Sequence, residues 1–141
     1  MTRNTIISVR DLVGGYGDDI ILDHVSFDVY EGEIFVILGG SGCGKSTLLK
    51  HLIGLVRPKA GRIIIQGDDI SADNDEVYQK VLRKIGVLYQ SAALFGSMTL
   101  AENVALPIEE YTDLSGKALH SLVNMKLKLV GLEGYENHLP S

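Results

Sequence analysis

The segments TIISVRDL and DDIILDHVSFDVY are dense in β-branched and apolar residues and flank the glycine-rich VGGYG. The pattern predicts two strands around a turn. Within the second, VSFDV alternates apolar and polar positions, as a half-buried strand does. EGE then turns the chain into IFVIL, a continuous apolar run that suits a central parallel strand buried on both faces.

A helix is expected from Lys45 to Ile53, with Leu48, Leu49, Leu52 and Ile53 apolar and Gly54 as its stop. RIIIQGDDI reads as a strand and turn, and Asp73 to Leu82 as a short helix with an acidic first turn and Glu76 four residues before Lys80. KIGVLYQ is a further strand. Thr99 with Glu102 forms a capping box for a helix that Pro107 is expected to end. In SGKALHSLVNMKLKLVGL, Leu119, Leu122, Val123, Leu127 and Val130 fall near helical spacing, and Gly131 stops the run. Strands alternating with helices imply an α/β domain with a parallel core, the first two strands forming a small antiparallel annex.

Composition narrows the picture. A chain of 141 residues, 45% apolar and 22% charged, is ordinary for one soluble globular domain. The net charge of −5 gives no broad basic field for nucleic acid. The single Cys43 rules out an internal disulfide and fits a reducing compartment. No apolar run approaches the roughly 18 residues of a membrane span, and the N-terminus lacks the apolar stretch of a signal peptide. A cytoplasmic protein is the default, with any membrane association coming through a partner.

The candidate chemistry lies in VILGGSGCGKSTLLKHLIG. Gly39-x-x-x-x-Gly44-Lys45-Ser46 matches the phosphate-binding P-loop pattern in full, with an apolar strand leading in and a helix leading out. The loop Gly39, Gly40, Ser41, Gly42, Cys43 and Gly44 would turn successive N–H groups inward, because glycine tolerates conformations that a Cβ hinders. With the helix N-terminus they make an anion site. Lys45 adds positive charge near the β- and γ-phosphates, Ser46 offers a hydroxyl to Mg²⁺, and Thr47 reaches toward an α-phosphate oxygen. Cys43 reads as a small filler residue.

Beyond the loop, the chain resembles the ATP-binding subunit of ABC transporters throughout its length. The resemblance rests on GGYGDDIILDHVSFDVYEGEIFVILGGSGCGKSTLLKHLIGLVRPKAGRIII and on IGVLYQSAALFGSMTLAENVALP. It implies that Tyr16 stacks on adenine, a role its π-face suits. It implies that Gln90 reaches Mg²⁺ and the attacking water, and that its loop touches the membrane subunit. The wording SAALFGSMTLAENVALPIEEYTDLS is most similar to ATPases of bacterial phospholipid transporters with mammalian-cell-entry-type lipid-binding subunits. The implied fold class is an α/β P-loop NTPase with an N-terminal antiparallel β annex and the start of a helical subdomain. A single partial domain over 1–141 is expected, with annex and P-loop core in 1–95 and the Q-loop exit and first helices in 96–141.

The residues that cut phosphate are less evident. P-loop ATPases hold Mg²⁺ from a second side with an Asp that ends an apolar strand, and no four apolar residues precede Asp-Glu after the P-loop. IILD, ending at Asp23, precedes the loop and reads as part of an annex strand. An LSGGQ-like signature, a D-loop and a switch histidine are not found; His24, His51, His120 and His138 read as surface or core residues. The chain is expected to stop short of the signature, leaving the core sheet incomplete and the 141-residue chain without appreciable ATP turnover. The resemblance implies ATP and Mg²⁺ as cofactors. Its implied partners are a transmembrane permease, at the cytoplasmic face of the inner membrane, and a second copy of the subunit joined head to tail. A non-catalytic nucleotide-binding module ending naturally at Ser141 is the alternative. A GTPase or small-molecule kinase fits less well, for want of an Asn-Lys-x-Asp guanine reader or an Arg-rich lid.

Overall fold

The computed structural model describes residues 3–89 and 93–140. These fall into two compact units, Met1–Val87 and Leu88–Ser141.

In the first unit, β1 (Thr5–Tyr16) and β2 (Asp19–Tyr30) form a long antiparallel hairpin. The glycines placed in the turn by sequence belong to β1: Gly14 pairs with Leu22, Gly15 with Ile20 and Tyr16 with Asp19. The turn itself is only Gly17 and Asp18. β3 (Ala60–Ile65) pairs antiparallel with β1, and β4 (Asp68–Asp69) with β3, giving the order β2-β1-β3-β4. The β3–β4 turn carries positive φ at both Gln66 and Gly67, at 48° and 86°, as a two-residue hairpin turn of the I′ kind requires.

Two helices lie beside this sheet in sequence: α1 (Lys45–Leu52) and α2 (Asp75–Leu82). One hydrophobic cluster joins them to it: Val9, Leu12 and Leu22 of the hairpin, Ile63 and Ile65 of β3, Ile70, Leu48 of α1 and Val81 of α2. Asn74 caps α2 by accepting from the N–H groups of Glu76 and Val77. Lys80 does not turn to Glu76 but to Asp68, at 2.8 Å, where Lys84 joins it at 2.8 Å. Asp68 is the better-sheltered carboxylate, and both ammonium groups hold it below its usual range.

Two expected strands do not form ladders among the described residues. IFVIL runs from β2 toward the P-loop with Ile34 and Leu38 almost fully exposed, at 91% and 86%. Phe35 stacks on Phe27 with ring centroids 5.0 Å apart. Residues 84–89 of KIGVLYQ are likewise outside any strand. Among the described residues the one sheet is antiparallel, and the expected parallel core forms no ladder there. An apolar pattern marks a segment fit for burial, but a strand needs a neighbour to accept its N–H and C=O groups.

In the second unit, α3 (Leu100–Tyr111) packs with α4 (Gly116–Leu129). The capping box is present: Thr99 Oγ1 accepts from Glu102 N–H, and the Glu102 carboxylate accepts from Thr99 N–H at 2.7 Å. Pro107 lies inside α3 and does not end it. A proline removes one donor; the capping box secures one end, and the Thr112 hydroxyl donates to the Ile108 carbonyl at the other. Gly131, at φ 75°, ends α4 as expected: its N–H donates to Lys128 and that of Leu132 to Leu127, the paired bonds of a Schellman motif. Asn103 ties the segment before α3 together, donating to the carbonyls of Phe95, Met98 and Thr99.

Candidate phosphate-binding site

The first residue of α1 is Lys45, and the loop before it closes tightly enough that two of its glycines take positive φ. Gly42 stands at 80° and Gly44 at 96°. Gly44 is constrained twice, because a Cβ there would lie 3.0 Å from Ile21 Cγ2 and 3.2 Å from Leu22 Cδ2. The hairpin thus packs directly against the mouth of α1.

Gly44 is also the N-cap of α1, with no side-chain hydrogen bond to the first turn and no acidic residue within it. By contrast, α2 and α3 begin with carboxylates of their own. An uncapped, acid-free helix start presents N–H donors and the positive end of the helix dipole. The Lys45 ammonium donates to the carbonyls of Gly39 and Gly40 at 2.8 and 2.6 Å and lies 3.5 Å from Cys43 Sγ. It therefore lies folded over the loop's own backbone. Ile21, Gly42, Gly44, Lys45, Ser46 and Thr47 line a cleft of about 140 Å³. Cationic and hydroxyl groups with no carboxylate suit a phosphate and an oxygen-seeking cation.

Tyr16 stands at the end of β1, partly exposed. The Lys50 ammonium donates to its hydroxyl at 3.0 Å and lies 5.3 Å from its ring centroid. The shorter distance decides the geometry: the cation sits beyond the hydroxyl end and not over the middle of the ring. The bond from Lys50 is the main cause that holds the phenol below its usual range, with Thr47 lowering it further. Thr47 and Lys50 are three residues apart on α1 and so share a face. Thr47 is nearly buried, facing the hairpin. Lys59 completes the arrangement, donating to the Gly17 carbonyl at 2.6 Å in the turn that follows Tyr16.

The structure thus gathers Lys45, Ser46 and Thr47 at one cleft and sets Tyr16 beside Lys50 of the same helix. Gln90 falls outside the described residues. Sequence reasoning missed Ile21, Lys50 and Lys59. Ile21 carries no motif, and the two lysines are ordinary surface residues in sequence; α1 brings Lys50 to Tyr16, and the pairing of β1 with β3 brings Lys59 to Gly17.

Loop, helix and annex define a P-loop NTPase of the ATP-binding-cassette type. A bacterial ABC transporter cassette solved as a dimer superposes with a TM-score of 0.83 at 34% identity, covering 96% of this chain and 62% of that one. Residues 22–139 match the ABC transporter family, and the chain belongs to it. It is 41% identical over 142 residues to the intermembrane phospholipid transport system ATP-binding protein MlaF of Haemophilus influenzae, covering 100% of this chain and 53% of that protein. It is 41% identical over 140 residues to the "Probable ribonucleotide transport ATP-binding protein mkl" of Mycobacterium leprae, covering 99% of this chain and 40% of that protein. The chain therefore spans about half the length of the relatives it matches.

Proposed function

We propose that this chain supplies the phosphate-gripping wall of an ATPase that powers phospholipid movement by a transmembrane permease. The observation that carries the reading is the acid-free cleft at the start of α1, where Lys45, Ser46 and Thr47 converge. In this reading the backbone from Gly39 through Gly44, including Ser41 and Cys43, cradles the phosphates. Lys45 exchanges its bonds with the loop carbonyls for the β- and γ-phosphates. Tyr16 stacks on adenine. Ser46 and Gln90 hold Mg²⁺, which when bound neutralises charge on the transferring phosphoryl group. Gln90 also orients water. A second copy closes the site from the opposite side, and the permease brings the subunit to the cytoplasmic face of the membrane. Among the described residues no helix is long and apolar enough to cross a membrane.

Phospholipid is favoured as the cargo by the name of the MlaF relative, whereas the mkl relative is named for ribonucleotide transport. Two experiments separate the layers of the proposal. MgATP titration should show binding that Lys45→Ala abolishes; equal binding by the variant overturns the site. In vesicles carrying the complete transporter, ATP should drive movement of labelled phospholipid and not of ribonucleotide; the reverse overturns the cargo. Steady hydrolysis by the 141-residue chain is expected to be negligible, since no carboxylate lines the cleft and losing even one transition-state stabiliser costs about 10²–10³ in rate.

A further inference from the structure

We propose that Lys50 is a positioning residue for the nucleobase, acting through the hydroxyl of Tyr16 and not through contact with the nucleotide. The inference rests on the reading that Tyr16 stacks on the base. Lys50 Nζ is 3.0 Å from the Tyr16 hydroxyl but 5.3 Å from the ring centroid. It holds the ring by its polar end and does not cover its middle. A half-exposed tyrosine at a strand end has several rotamers open to it, and fixing one in advance reduces the entropy lost when a base docks. Lys50 does this from α1, the helix that begins with the phosphate-binding Lys45. The orientation of the ring is thereby tied to the element that carries the phosphate site. Lys59 reinforces the arrangement by donating to the Gly17 carbonyl at 2.6 Å and so bracing the turn next to Tyr16.

The test compares two ligands and five proteins: the unmodified chain, Lys50→Met, Lys50→Arg, Tyr16→Phe and the Tyr16→Phe, Lys50→Met double variant. ATP presents base and phosphates; inorganic tripolyphosphate presents phosphates alone. Lys50→Met should weaken ATP binding about fivefold, the worth of one hydrogen bond of typical strength, and leave tripolyphosphate binding unchanged. Lys50→Arg, which keeps the donor, should restore most of the loss. In a Tyr16→Phe background, Lys50→Met should cause no further loss, because the hydroxyl it acts through is gone. Retained tripolyphosphate binding also certifies that each variant is folded. Equal loss for both ligands, or an undiminished effect of Lys50→Met in the Tyr16→Phe background, overturns the proposal by making Lys50 a phosphate contact or a direct nucleotide contact. Absence of ATP binding by the unmodified chain would instead overturn the proposed function itself.

Discussion

Gly14 of β1 and His51 of α1 interlock: a Cβ on Gly14 would fall well inside contact distance of the imidazole Nε2 and lie 2.8 Å from Cδ2. His51 is almost fully buried, and its Nδ1 lies 2.8 Å from the Val56 carbonyl. A carbonyl only accepts, so Nδ1 carries the proton and Nε2 is left without a hydrogen-bond partner among the described residues. Shape is what holds this ring against the hairpin. Gly14→Ala is therefore expected to cost about 1–3 kcal/mol, the usual penalty for overpacking, read by urea denaturation. Combined with His51→Ala it should cost less than the two single changes added together, because the clash is removed with the ring. Strict additivity would mean that the two residues do not meet.

At the mouth of α1, Gly44→Ala meets both a left-handed backbone and the side chains of Ile21 and Leu22. A residue forced into that region costs about 1–3 kcal/mol. The variant should lose stability and phosphate binding together in paired thermal-melt and tripolyphosphate-binding measurements. Full retention of both would contradict the packing of the hairpin against the loop.

The contribution of Asp68 to stability depends on pH. Lys80 and Lys84 lower its folded pKa from the ordinary 3.8. A depressed carboxylate stabilises fully above the unfolded value and loses that contribution as pH falls through the folded one. Asp68→Asn should thus melt below the unmodified protein at pH 7, and the gap should close as pH drops below 3.8. A gap that persists undiminished in strong acid would show that the effect is not electrostatic.

Thr99→Ala removes the acceptor for Glu102 N–H and a hydroxyl donor to the Glu102 carboxylate. Loss of such a cap costs about 1 kcal/mol. Hydrogen exchange in the first turn of α3 should quicken about fivefold, while exchange in the sheet stays unchanged. Uniform change in both units would point to a global effect instead.

Ile34 and Leu38 stand almost fully exposed on a segment without ladder partners among the described residues. Exposed apolar strand-formers invite edge-to-edge association. The 141-residue chain alone is expected to scatter light increasingly with concentration, and Ile34→Lys with Leu38→Lys to suppress the scattering without altering the hairpin. Unchanged scattering in that double variant would place the sticky surface elsewhere.

By itself the sequence determined the local elements. The hairpin, both capped helices α2 and α3, the glycine stop after α4 and the phosphate loop all follow from short-range rules: period, cap and turn residues within a few positions of each other. Only the tertiary structure decided what depends on distant partners. IFVIL has the composition of a buried strand, but ladder bonds come from neighbours and not from composition. Pro107 reads as a stop, yet bonds at both ends of α3 carry the helix past it. His51 gave no sign that Gly14, far away in sequence, shapes its pocket. Lys50 looked like one more surface lysine until the antiparallel register of β1 and β2 set Tyr16 beside α1, because the side-chain partner of a helix face is chosen by packing.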